Sequence, residues 1–250
     1  MPRFFVCREQ IEDGCVTIKG DDAHHLSRSL RMAVGEHITV CDMQKKEYEC
    51  ELTAFLPDRV EARILSARES DTEPPYTATV YQALPKGDKL DQIIQKAVEC
   101  GASEIVTFES ERCVVRAKEG NEEKKVERRR RIALEAAKQS GRSILPNVAP
   151  TVSFEKALEL ASRADIGLFC YEGDGTESLS KCLREMKTQM LEKENPTVSI
   201  VIGSEGGFSH KEAELAKQAG LCSVGLGKRI LRTETAASFV LACLVYELEL

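Results

Sequence analysis

The chain has 250 residues, with 35 Lys and Arg against 41 Asp and Glu, a formal net charge of −6. Hydrophobic residues make up 42%, charged residues 30%, and Trp is absent, the balance of a globular chain long enough for one large domain or two small ones. That excludes a disordered or collagen-like chain, and no apolar run reaches the roughly 18 residues that predict a membrane span. The N-terminus, Met1 to Glu9, carries no apolar core and no small-residue cleavage site, so no secretory signal is read there. The ten Cys include no C-x-x-C pair and no His at zinc-finger spacing. They read as small buried hydrophobes of a reducing compartment, so a cytoplasmic location is expected. The four His do not cluster with acids, and no metal site is expected. The acidic total argues at first against a polyanionic partner.

In chain order, the first 70 residues read as strands. His37 to Cys41, Tyr48 to Thr53 and Arg59 to Leu65 alternate apolar and polar residues, which predicts a small β-barrel. One short helix, from about Asp21 to Met32, interrupts them. Residues 69–76 are polar and then carry Pro74-Pro75, the pattern of an extended linker. The domains are therefore placed at 1–72 and 73–250.

Beyond the linker the period changes. Thr77 to Ala83 is a strand, and Asp88 opens a helix with Leu90, Ile93, Ile94, Ala97 and Val98 on one face, stopped by Gly101. A strand from Glu104 to Phe108 leads to a charged helix from about Asn121 to Ser140. A helix near Ser153, the strand Ile166 to Cys170, a helix with Leu179 and Leu183, and the strand Val198 to Ile202 follow. Ser209 to Glu212 is a capping box opening another helix. Strand Cys222 to Leu226 and an apolar helix from about Thr235 to Leu248 close the chain. Strands alternating with helices predict an α/β domain with a mostly parallel sheet covered on both faces.

Ligands of open α/β sheets bind at the carboxyl ends of strands. Three such ends carry Gly-containing loops: Tyr171-Glu172-Gly173-Asp174-Gly175, Gly203-Ser204-Glu205-Gly206-Gly207-Phe208, and Gly225 to Thr235. Each alone is ordinary turn chemistry, and three together point to a ligand. There is no phosphate-binding P-loop and no G-x-G-x-x-G after the first strand, and Glu205 inside the second loop would repel phosphate. Arg232 and Glu234 flank a buried helix start. They read either as an ion pair capping that helix or as a cation aimed at a substrate anion.

With these residues in view the chain resembles the ribosomal RNA small-subunit methyltransferase E family, of the SPOUT class. The resemblance rests on Ile202 to Phe208 and on Leu226 to Ala236. It extends through His24-His25-Leu26, Leu30-Arg31 and Gly35; Lys86-Gly87-Asp88-Lys89 with Gln95-Lys96; Ser110 to Cys113; and Gln139 to Arg142, in order along nearly the whole chain. It implies a PUA-like β-barrel, then a parallel α/β domain with a C-terminal trefoil knot. It also implies S-adenosylmethionine as methyl donor, a homodimer, and methylation at N3 of a uridine in 16S rRNA of the small ribosomal subunit. Two positions depart from the family pattern: Ser204 and Lys228 stand where Pro is usual, which predicts looser cofactor loops.

On this resemblance the cofactor falls to Tyr171, Glu172, Ile202, Gly203, Glu205, Gly206, Gly207, Leu226, Gly227, Ile230 and Leu231. Arg232 is the first candidate to steady a uracil anion and Arg142 the second, with Glu205 as the carboxylate able to orient groups or accept a proton. RNA contacts are expected from Arg3, Arg28, Arg31, Lys86, Arg112, Arg128, Arg129 and Arg142. Residues 111–131 carry nine basic and five acidic side chains, including Lys118 and Glu119. That run is either a solvated helix face or a phosphate-binding one. Arg3-Phe4-Phe5 reads as core packing or as a base-stacking edge. Residues 1–72 carry ten basic against fourteen acidic residues, and 73–250 carry 25 against 27. RNA binding must therefore use local clusters rather than a general positive field. The competing readings are a non-catalytic RNA-binding assembly factor on the same fold and a nucleotide-cofactor oxidoreductase.

Overall fold

The computed structural model describes residues 1–116 and 122–250; Lys118, Glu119 and Asn121, named above, lie outside them. Contacts gather into two units, Met1–Glu73 with Ala137–Leu145, and Pro74–Ala136 with Pro146–Leu250.

The first unit is built on a six-stranded sheet in the order β1-β4-β5-β6-β3-β2. Its strands are β1 (Arg3–Phe5), β2 (Ile11–Glu12), β3 (Cys15–Lys19), β4 (His37–Cys41), β5 (Lys46–Phe55) and β6 (Arg59–Glu69). Neighbours are antiparallel, except that β1 runs parallel to β4. The alternation read in the sequence fixes which face is buried. Ile38 and Val40 pair with Cys50 and Tyr48, and Val16 and Ile18 with Ala62 and Val60. All eight are buried, with Phe4, Leu26 and Leu52. Phe4 belongs to this core and is not free to stack on a base. The helix expected over Asp21 to Met32 is shorter: α1 (Gly20–His24) continues as a π-helical turn to Ser29.

The second unit carries seven parallel strands in the order β11-β13-β10-β12-β7-β8-β9. They are β7 (Thr77–Ala83), β8 (Glu104–Glu109), β9 (Asn147–Ser153), β10 (Ile166–Cys170), β11 (Glu177–Ser178), β12 (Thr197–Ile202) and β13 (Cys222–Gly225). Consecutive residues of β8 and β12 are buried, so both faces of the sheet are covered. The helices are α2 (Lys89–Glu99), α3 (Glu122–Ser140), α4 (Phe154–Ala161), α5 (Leu179–Leu191), α6 (His210–Gln218) and α7 (Thr233–Leu248). α7 packs on β12 and against α2 and α5, whereas α4 packs on β7, β8, β9 and β12.

α2 buries Leu90, Ile93, Ile94, Ala97 and Val98, the stripe read from its period. Gly101 ends it at φ +92°, and a Cβ there would stand 2.7 Å from Pro74 Cγ. The segment read as a linker is thus packed, with Pro74 and Tyr76 buried. All ten Cys are free thiols; Cys41, Cys50, Cys113 and Cys182 are buried, whereas Cys7 and Cys15 are exposed. No helix among the described residues is long and apolar enough to cross a membrane.

Candidate active site

The three Gly-containing loops leave the carboxyl ends of β10, β12 and β13, which are adjacent in the sheet, and they line one cavity of about 870 Å³. Strand order thus gathers segments 171–176, 202–208 and 225–233, which lie far apart in sequence, and Lys89, Arg112 and His210 also line the cavity. All eleven residues assigned to the cofactor from sequence line it.

The middle loop is the most constrained. Gly203 lies where a Cβ would stand 3.2 Å from Phe208 Cε2 and 3.3 Å from Gly207 Cα, so a side chain there would require its neighbours to give by a few tenths of an ångström. Its carbonyl accepts from the Thr233 hydroxyl at 2.7 Å and from Gln82 Nε2 at 3.3 Å. Gln82 Nε2 also donates to Thr233 Oγ1 at 2.9 Å and to Ala83 O at 3.0 Å. The loop leaves through Phe208, whose ring packs 4.3 Å from that of Phe169 and stacks on Phe108. The Ser209 capping box follows as read: Ser209 Oγ accepts from Glu212 N, and Ser209 N donates to Glu212 Oε2. Ser204 Oγ is buried with no hydrogen-bond partner. A polar atom left this way costs free energy, and a bound polar group or water would recover it.

Glu205 accepts from Lys89 Nζ at 2.9 Å and from Lys86 N at 3.1 Å. Burial pushes this carboxyl up, but these bonds and the Glu205 backbone N–H outweigh it and hold it below its ordinary range. The hydrogen bond to Glu205 in turn raises the Lys89 ammonium. Glu205 is a poor proton acceptor in this state and a good strut.

Arg232 is the N-cap residue of α7, and its carbonyl accepts from Thr235 N at 2.8 Å and Ala236 N at 3.0 Å. Its backbone is fixed while its side chain is 80% exposed on the cavity lip, 4.0 Å from Glu234. An ion pair that long and that exposed contributes little, so the helix-capping alternative for this pair is the weaker one. Gly227, at φ +105°, turns the chain into this last loop. Lys228, Arg229 and Ile230 beyond it are exposed.

Arg142 is elsewhere. It groups with the first unit and is buried, its guanidinium forked onto Glu73 at 2.7 and 2.9 Å, each side chain 4% exposed. Glu73 also accepts from the backbone N–H groups of Ser143 and Ile144. Burial raises the Glu73 carboxyl, and Arg142 and these N–H groups bring it below its ordinary range. Arg142 therefore faces a carboxylate rather than open solvent, unlike Arg232.

The expected RNA contacts divide the same way. Arg28, Arg31, Lys86, Arg112 and Arg128 are exposed, although Arg128 pairs with Asp91 and Arg112 Nη1 donates to Gly206 O at 3.2 Å. Arg129 is buried beside Thr107 and Glu122, and Arg3 is held by Glu47 at 2.6 Å. Three site-building residues were absent from the sequence assignment: Gln82, Thr233 and Lys89. Gln82 carried a signal, a lone amide between Val80-Tyr81 and Ala83-Leu84, and it is fully buried. Thr233 lies in the Leu226 to Ala236 motif, which marks the loop but not the role of its hydroxyl. Among the described residues no group of three or more His, Cys, Asp or Glu could hold a metal ion.

Comparison with known proteins agrees with this architecture. Residues 72–245 match a profile described as an RNA methyltransferase domain, and residues 18–65 one described as an RNA methyltransferase PUA domain. Ribosomal RNA small subunit methyltransferase E of Bacillus subtilis (strain 168) is 34% identical, covering 100% of this chain and 98% of that protein. A crystal structure of the Neisseria gonorrhoeae protein of the same name, bound to S-adenosyl methionine, has a TM-score of 0.83 at 31% identity, covering 98% of this chain and 97% of that one. A crystal structure described as a hypothetical protein reaches a TM-score of 0.89 at 33% identity, over 99% of this chain and 98% of that one. With a PUA-like first unit, a parallel α/β second unit and relatives aligned over its whole length, the chain belongs to the ribosomal RNA small subunit methyltransferase E family of RNA methyltransferases.

Proposed function

We propose that the protein transfers a methyl group from S-adenosylmethionine to N3 of a uridine in 16S rRNA of the small ribosomal subunit. The observation that carries this reading is one cavity floored by three glycine-bearing strand ends, with an exposed arginine on its lip. The cavity suits a nucleoside-sized ligand by volume. The unpartnered Ser204 hydroxyl in the cavity lining fits a polar group seated against it. Tyr171, Ile202, Leu226 and Leu231 supply apolar walls, and Gly203, Gly206 and Gly207 supply backbone groups. When bound, the cofactor supplies an electrophilic methyl on a sulfonium.

The residues of the chain then have separable tasks. The loops fix the reacting partners in line, which lowers the barrier by orientation. Arg232 steadies the negative charge that uracil acquires as its N3 proton leaves to solvent, because a fixed backbone holds this cation at the lip. Glu205 orients the middle loop through Lys89 and Lys86 rather than accepting the proton, since its carboxyl is held ionised. Arg112, Arg28, Arg31, Lys86 and Arg128 contact RNA phosphates. Arg3, Arg129 and Arg142 support the fold from within.

Three further properties belong to this reading. A homodimer is supported by α7, which leaves Phe239 and Tyr246 exposed, Tyr246 at 73%, and by Ile230, which is exposed as well. A C-terminal trefoil knot is supported by the path of the chain. β13 lies beyond β10, yet α7 begins back against Gln82 of β7 and Gly203 after β12. A cytoplasmic location follows from a ribosomal substrate.

The test is mass mapping of 16S rRNA, free and in assembled subunits, after incubation with the protein and labelled S-adenosylmethionine. One N3-methyluridine is expected. Binding of rRNA without methyl transfer would favour an assembly factor instead, and tight binding of NADH without S-adenosylmethionine binding an oxidoreductase.

A further inference from the structure

Lys89, in the first turn of α2, stands between two carboxylates from different parts of the site. Its ammonium donates to Glu205 Oε1 at 2.9 Å and lies 3.4 Å from Glu234 Oε2. Glu234 Oε2 is buried and makes no aligned hydrogen bond, so this second contact is chiefly charge on charge. The other oxygen of Glu234 lies 4.0 Å from Arg232 Nη1. Glu234 is therefore shared by a near lysine and a more distant arginine. Lys89 is 30% exposed and held by Glu205 as well, whereas Arg232 is 80% exposed and free to rotate.

We propose that Lys89 is a positioning residue that keeps Arg232 available to the substrate by occupying Glu234. The inference rests on the reading of Arg232 given above. Without Lys89, Glu205 and Glu234 lose the cation between them, and Arg232 is the next cation along Glu234's own helix start. Arg232 already lies 4.0 Å from Glu234, and an arginine forks onto a carboxylate within reach when no other cation competes. The guanidinium would then turn from the lip toward its own helix. Lys89 thus acts by competition, at a distance from the reacting atoms.

The experiment compares Lys89→Met, Lys89→Arg, Lys89→Met/Glu234→Gln and Arg232→Ala in the full chain at saturating S-adenosylmethionine. Lys89→Met should lower kcat roughly ten-fold, with KM for rRNA changed less. Adding Glu234→Gln should raise kcat at least about three-fold above Lys89→Met, because no carboxylate remains to capture Arg232, although Glu205 lacks its lysine in both. Lys89→Arg, which keeps the cation, should turn over faster than either. In the ligand-free protein the Nε–H NMR signal of Arg232 should be protected from solvent exchange in Lys89→Met and unprotected in the double variant. A double variant as slow as Lys89→Met, with Arg232 unprotected in both, overturns the inference and leaves a merely structural lysine. Arg232→Ala turning over at the wild-type rate overturns the reading beneath it, a result the other variants cannot mimic.

Discussion

Each of the two units holds an arginine beside a glutamate, in opposite states. In the first, Arg142 and Glu73 are 4% exposed and locked by several short hydrogen bonds. In the second, Arg232 and Glu234 are 4.0 Å apart, and the arginine is mostly in solvent. A buried pair is costly to break because the survivor is a buried, unpaired charge, whereas an exposed pair at that distance contributes little. Residue type and local sequence do not separate the two cases. Burial does, and it divides an arginine that holds a fold from one free to meet a substrate.

The largest effect should come from the closed pair. Arg142→Ala or Glu73→Ala should lower the unfolding free energy by about 3–5 kcal/mol in denaturant melts. An Arg142→Ala variant with native stability and no methyl transfer would erase the contrast. Next, Arg232→Ala should lower kcat by about 10²–10³-fold, the scale of one donor lost from an anion-stabilising site, while its melting temperature stays at the wild-type value. Acid sharpens the comparison further. The folded pKa of Glu73 lies below its unfolded value, so the stability it contributes is present above the ordinary glutamate range, near ~4.3, and is lost as pH falls through the lowered folded value. Glu73→Gln should flatten that acid limb in urea melts run against pH. The smallest effect belongs to the exposed cations. Arg112→Ala should lower the salt slope of rRNA binding by about 1, the signature of one phosphate contact, whereas buried Arg129→Ala should leave the slope unchanged.

Elements with a clean period were legible in the sequence. β4 and α2 fall where alternation and the apolar stripe put them, because tertiary packing uses the faces those periods expose. β9 was not read at all. It holds Pro150 and few apolar residues, and it survives because it is the edge strand, where a missing N–H is tolerated; its register against β8 slips between Val106 and Phe108. β1 and β2 are too short for any period to appear. In the site, glycine loops were legible because backbone demands leave a residue-type signature. The roles of Lys89 and Thr233 were not, because each depends on a partner from another loop. The burial of Arg142 was hidden for the same reason: its environment is made by Glu73, 69 residues away.

The hydrogen bonds on Gly203 have a consequence for the order of folding. Gln82 and Thr233 are separated by 151 residues, and Gln82 and Gly203 by 121. Contacts of such span form late, after shorter-range structure has reduced the loop to be closed. The floor of the cavity is therefore completed only when α7 docks on β7 and β12, and a refolding chain should acquire ligand affinity in its slowest phase. Binding would then report on completion of the chain's last helix.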